Sequence, residues 1–149
     1  MTPMHRQDFI KTCGWSCLSF LGAVPFMESC TGTKYLTGKL KGSYLEIPLD
    51  AFVLTRQKEL KFRHYVVVQH KALAYPICVY RLSASEYQAL LMKCTHQGTE
   101  LEVYGDRLQC PAHGSEFTKY GIVQNGPAEE HLRIFPVLVE LNAVKINLA

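Results

Sequence analysis

An antiparallel sandwich or small barrel made almost wholly of strands is what this sequence predicts, and three observations carry the prediction. After residue 30 no segment of helical period is long enough to form a helix. Short β-branched and aromatic runs succeed one another instead, each bounded by turn or polar residues. With 149 residues, 48% of them hydrophobic and 19% charged, the chain has room for one domain and its core.

The first thirty residues stand apart from that domain. A polar start, "MTPMHRQDFIK", carries Arg6 and Lys11 and leads into an apolar run of 16 residues, Thr12–Met27. That is short of the roughly 20 residues a membrane span needs. The run ends in "FMESC", which resembles a bacterial lipoprotein cleavage box with Cys30 as the lipidated residue, although Glu28 and Ser29 replace the usual small apolar pair. "HRQDFIK" resembles a twin-arginine export signal with Gln7 in place of the second Arg. The expected organisation is a signal over 1–29, a tether over 30–42 ("TGTKYLTGKLKG" follows Cys30) and a folded domain over 43–149. It places the protein at the bacterial cell envelope, facing the periplasm and held to the membrane through Cys30. An uncleaved N-terminal anchor is the alternative.

Strand signals then come in order. "SYLEIPL", "RHYVVVQH" and "AYPICVYRL" read as strands, and "SASEYQALLMK" as a turn leading into another. At the C-terminus, in "FPVLVELNAVKINLA", Val144, Ile146 and Leu148 alternate with Lys145 and Asn147, the pattern of a half-buried strand. Cys78 lies within a strand run and reads as a small buried hydrophobe.

Charge is unevenly placed: residues 31–93 carry ten Lys/Arg against four Asp/Glu, and residues 94–149 four against seven. No concentrated basic face emerges, which argues against nucleic acid as a partner.

The informative stretch is "CTHQGTELEVYGDRLQCPAHGSEF", residues 94–117. It holds Cys94-x-His96 and Cys110-x-x-His113, with 13 residues between the pairs. Thiolate and neutral imidazole are ligands for zinc, copper or iron–sulfur clusters. Zinc fingers generally group two Cys and then two His, whereas each half here supplies one of each. That suits a site with two ends, one taking both thiolates and the other both imidazoles.

The stretch resembles the ligand loops of Rieske iron–sulfur proteins, over roughly residues 43–149. "CPAHGSEF" matches the second loop, and "GIVQNGPAEEHL" matches the Gly-Pro-Ala loop that covers the cluster, with Gly126 and Pro127 in place. The resemblance implies a Rieske-like antiparallel β-sandwich with a small cluster-binding subdomain. It implies a [2Fe–2S] cluster with Cys94 and Cys110 on the buried iron and His96 and His113 on the outer one. Ser115 would hydrogen-bond a cluster sulfur. The sequence departs from Rieske proteins of cytochrome bc complexes at Thr99 and Ala112, where those carry a disulfide, and at Phe117, where they carry a Tyr whose hydroxyl raises the potential. A potential in the middle or lower part of the Rieske range follows.

Other residues read more plainly. His64 and His70 are expected to face solvent, and His131, just after the Gly-Pro-Ala loop, to have a surface role, with a place near the cluster as the alternative. Tyr104, Tyr120 and Phe117 are expected to pack around the ligand loops. Glu100, Glu102, Asp106 and Glu116 could steer a basic partner or keep the loops hydrated. No catalytic residue of the chain's own is evident. The implied function is one-electron transfer, as a membrane-tethered periplasmic carrier or a subunit of a respiratory or periplasmic oxidoreductase. Its partner would be a redox protein or a quinol-oxidising complex. A ferredoxin-type component feeding an oxygenase and a structural zinc-binding module are the alternatives.

Overall fold

The computed structural model describes residues 33–56 and 59–149, so the expected signal segment and Cys30 lie outside the described residues. From Thr33 onward the chain forms one compact unit. Among the described residues no helix is long and apolar enough to cross a membrane.

The strands are β1 (Tyr35–Thr37), β2 (Lys39–Lys41), β3 (Tyr44–Pro48), β4 (Val53–Arg56), β5 (Glu59–Phe62), β6 (Tyr65–Gln69), β7 (Ile77–Arg81) and β8 (Tyr87–Leu91). They continue with β9 (Glu102–Tyr104), β10 (Arg107–Gln109), β11 (Glu116–Thr118), β12 (Val123–Asn125), β13 (Ile134–Phe135), β14 (Val137–Glu140) and β15 (Ala143–Asn147). A single 3-10 turn, Leu49–Phe52, is the helical element among these residues. The all-β architecture expected from the sequence is therefore the one observed.

A five-stranded sheet, β1-β6-β7-β8-β13, forms the middle layer, antiparallel except where β1 runs beside β6. One of its faces carries Val66, Val68, Ile77, Val79 and Ala89 and packs on Leu45, Ile47, Val144 and Ile146 of the sheet β14-β15-β3-β2. The other carries Val67, Cys78, Tyr80 and Leu90 and packs on Leu108, Cys110 and Phe117 from the sheet β12-β11-β10-β9 and its loops. Burial on both faces explains why "YVVVQ" and "ICVYR" are continuous apolar runs without alternation. In β15 only one face is covered, so Val144 and Ile146 are buried and Lys145 is not.

Two segments change sheet without turning back: β1 continues into β2 and β13 into β14, each passing from the middle sheet to the outer one. The stretch expected as a tether over 30–42 thus supplies two strands. Its Lys and Thr alternate with Leu36 and Leu40, and Gly38 lies against Leu45 and Val68 where a Cβ would approach to 2.6 Å. The C-terminal stretch is a hairpin, β14–β15, rather than a single strand. Burial drives the Cys78 thiol well above its ordinary value, as expected for an inert core residue.

Candidate metal centre

Both ligand stretches hang from the small sheet and the end of β8, and their backbones repeat one design. In the first, Cys94 N–H donates to Thr99 O (2.8 Å) and Gly98 N–H returns to Cys94 O (2.8 Å). In the second, Cys110 N–H donates to Ser115 O (2.8 Å) and Gly114 N–H returns to Cys110 O (2.9 Å). The glycine four residues after each cysteine has φ +77°, a left-handed conformation that disfavours a side chain. Each loop thus closes on its own cysteine.

The outcome is a two-ended arrangement. Cys94 and Cys110 are buried within the core that contains Leu108, Phe117 and Met92. His96 and His113 are exposed, with ring centroids 5.0 Å apart and planes at 84°. Among the described residues no three His, Cys, Asp or Glu side chains converge on a point where a single ion could sit. Paired dry thiols and paired wet imidazoles fit a binuclear cluster with a thiolate end and an imidazole end. They do not form the single tetrahedron of a structural zinc site.

Burial acts to raise the Cys110 thiol, but the backbone N–H groups of His113 and Ala112 and the side chains of Cys94 and Thr99 outweigh it and hold the thiol below its ordinary value. These donors favour the thiolate, the form that binds a metal. Cys78, Cys94 and Cys110 are all unpaired, so no disulfide joins the two loops.

Ser115 is wholly buried, and its Oγ accepts the Ala128 N–H at 3.0 Å. That bond fastens the second loop to the exposed Gly126–Pro127 segment, whose peptide is cis. Phe117 is fully buried beside both cysteines, as expected of a packing residue. Tyr104 and Tyr120 are about half exposed and do not pack there; Tyr104 donates to Glu102 at 2.6 Å, and Tyr120 lies under Lys119. The acidic residues are largely engaged locally: Asp106 with Lys119 (3.0 Å) and Glu116 with Arg107 (3.6 Å). His131 does reach the site. Its Nδ1 accepts the Val123 N–H at 3.2 Å, and it lines a cleft of about 550 Å3 with Tyr75, Lys93, His96 and Arg133. His64 is exposed, and His70 accepts the Ala72 N–H, away from this cleft.

Thr95 was missed: it donates to Glu130 O at 2.7 Å and pins the first loop to the segment after Ala128, with no sequence signal beyond its place between Cys94 and His96. Thr99, which the sequence marks only as a departure from the disulfide pattern, faces the Cys110 thiol.

A β-fold built around paired loops of this kind defines an iron–sulfur protein. The chain belongs to the Rieske [2Fe-2S] domain family, whose model matches residues 50–136, more than half of its length. As a member, it binds a [2Fe–2S] cluster and transfers electrons through it. No curated protein matches the chain. A chain from the complex of reduced oxygenase and oxidized ferredoxin in carbazole 1,9a-dioxygenase is 23% identical, with 72% of this chain and 95% of that one covered and a TM-score of 0.53. Naphthalene 1,2-dioxygenase with indole bound is 18% identical with a TM-score of 0.53; 71% of this chain and 26% of that one are covered. These likenesses show the fold. The plasma membrane Rieske protein PetC3 from Synechocystis PCC 6803 is 24% identical, with 56% and 85% covered and a TM-score of 0.49.

Proposed function

We propose that Cys94, His96, Cys110 and His113 hold the cluster and that the protein is a one-electron carrier tethered to the membrane on the periplasmic side. The observation that carries the ligand set is the pair of matching loops, with both thiols inside and both imidazoles side by side at the surface. The bound cluster supplies a one-electron couple. The chain's own residues do the rest. Phe117, Leu108 and Met92 keep water from the thiols. Thr99 and the second loop's N–H groups favour the ionised form of Cys110. The exposed imidazoles bring the couple within reach of a docked partner.

Export and lipidation at Cys30 rest on the apolar run Thr12–Met27 and the "FMESC" box. The partner in this reading is a redox protein or a quinol-oxidising complex. Ser115 is proposed to keep its hydroxyl hydrogen for a cluster sulfur while its oxygen holds Ala128. Gly126 and Pro127 cover the site's edge.

A redox titration followed by electron paramagnetic resonance tests this reading. A Rieske-type signal with a midpoint in the middle or lower part of roughly −150 to +300 mV is expected. Phe117→Tyr should raise that midpoint, because a donor to cluster sulfur favours the reduced state. A well-folded protein loaded with zinc and giving no iron–sulfur signal would overturn the ligand assignment.

A further inference from the structure

Strand directions divide the domain into two poles. β8 runs toward Cys94, so the ends of β6 and β7 at Val68 and Ile77 share the metal-site pole, and Tyr65, Arg81 and Tyr87 mark the opposite one. The chain joins the domain at that opposite pole, where Thr33 Oγ1 and Tyr65 Oη are 3.1 Å apart.

The tip of the β14–β15 hairpin is at the same pole. Lys34 Nζ donates to Ala51 O (3.3 Å), and Leu49 N–H donates to Asn142 O (2.9 Å), so the 3-10 turn ties the start of the domain to the tip. That tip is Leu141, an apolar residue with 101% relative exposure and φ +37°, a conformation a branched apolar side chain disfavours. Leu138, 50% exposed, extends the apolar surface from the tip along the edge strand. A polar residue such as Asn would satisfy the turn better and expose no hydrocarbon. An apolar side chain held out in an unfavourable backbone is the signature of a contact made elsewhere.

The occupant follows from chain length. The described fold starts at Thr33, three residues after Cys30, and three residues span at most about 10 Å. Under the lipid tether of the proposed function, on which this step rests, so short a leash holds the Thr33 pole against the bilayer. With the apolar run left uncleaved, Met27 is six residues away and the reach is about 20 Å.

We propose that the pole bearing Thr33 and Leu141 rests on the lipid surface with Leu141 and Leu138 among the acyl-chain boundary. The charged groups around it are of both signs, Lys34, Arg63 and Arg81 against Asp50, Glu86 and Glu140, so hydrocarbon contact rather than net charge is the attraction. The paired imidazoles then point away from the membrane, farther from it than the length of the five-residue central strands, about 17 Å. The electron partner meets them outside the bilayer, which excludes a quinol still dissolved in the lipid.

The test uses the full chain with Trp15→Phe and one added indole, Leu141→Trp at the tip or Ala72→Trp at the metal-site pole. It is produced and processed in bacterial membranes and reconstituted in phosphatidylethanolamine/phosphatidylglycerol vesicles with brominated acyl chains. Quenching at least twofold greater at position 141 than at 72 is expected. Equal or reversed quenching in protein that floats with the vesicles overturns the orientation. Failure to float overturns the tether instead. Hydrogen exchange of residues 138–142 in the unsubstituted chain gives the second measurement: slowing on vesicles is expected, and no change overturns the lipid contact.

Discussion

The two ligand loops are copies in backbone and unlike in surroundings. Each closes on its cysteine with the same pair of hydrogen bonds and the same left-handed glycine. Yet the second loop is tied down from inside, by Ser115 to Ala128 and by Phe117 in the core. The first is tied from outside, by Thr95 to Glu130 O, and borders an open cleft. The protein thus gives one loop a buried anchor and leaves the other a solvated one. Position of the proposed ligands comes from the shared backbone, and tuning of the Cys110 thiol comes from what lies around it.

The largest effect should be blind to that difference. Cys94→Ser and Cys110→Ser, one in each loop, are both expected to abolish cluster binding, with iron and labile sulfide falling to background. His131→Ala, in the cleft but outside the proposed ligand set, should keep the full complement. Loss of iron in His131→Ala would show that the cleft histidine is part of the centre.

The buried and exposed anchors should then separate. Ser115→Ala strands the Ala128 N–H in a buried setting and is expected to cost about 1–3 kcal/mol. Thr95→Val breaks a bond open to solvent, and about 0.5–1 kcal/mol is expected. Chemical denaturation read by circular dichroism compares them; equal losses would mean the second loop is no more firmly held than the first. Gly98→Ala and Gly114→Ala should cost about 1–2 kcal/mol each, because both place a Cβ at φ +77°. At Gly98 the new atom also comes within 3.3 Å of Lys93 Cε, the far end of a flexible side chain that can move aside. A much larger cost at 98 would show that Lys93 is fixed over Tyr75.

Much of this was legible in the sequence, for reasons that differ by residue. Strands buried on both faces announced themselves as apolar runs, as in "YVVVQ", and β15 as an alternation. The proposed ligand residues stood out because thiol and imidazole at fixed short spacing have few other uses. The small sheet around the site was not legible. Its strands are three residues long, mix charged with apolar side chains, and depend on loop closure rather than on a hydrophobic pattern. β1 and β2 were hidden in a similar way: a Gly/Thr/Lys-rich stretch reads as a linker until Leu36 and the close approach of Gly38 to Leu45 are seen. Tyr104 and Tyr120 misled in the opposite sense, since aromatic character alone does not fix burial in turns that leave the core.

The finest consequence of the unlike surroundings is electronic. Thr99 belongs to the first loop but faces the thiol of the second, where its hydroxyl helps to hold Cys110 in the ionised form. A donor to a ligand sulfur stabilises the more negative, reduced state. Thr99→Val keeps the volume and removes the donor, so the midpoint should fall. A hydrogen bond worth about 1 kcal/mol corresponds to about 40 mV for a one-electron couple. Ala112→Ser in the second loop, at an exposed position, should leave the midpoint within about 10 mV, a change of about 0.2 kcal/mol. A fall in the first variant and none in the second would place the tuning in the contact between the loops. An unchanged midpoint in Thr99→Val would assign it to the backbone N–H groups of Ala112 and His113, which no side-chain substitution removes.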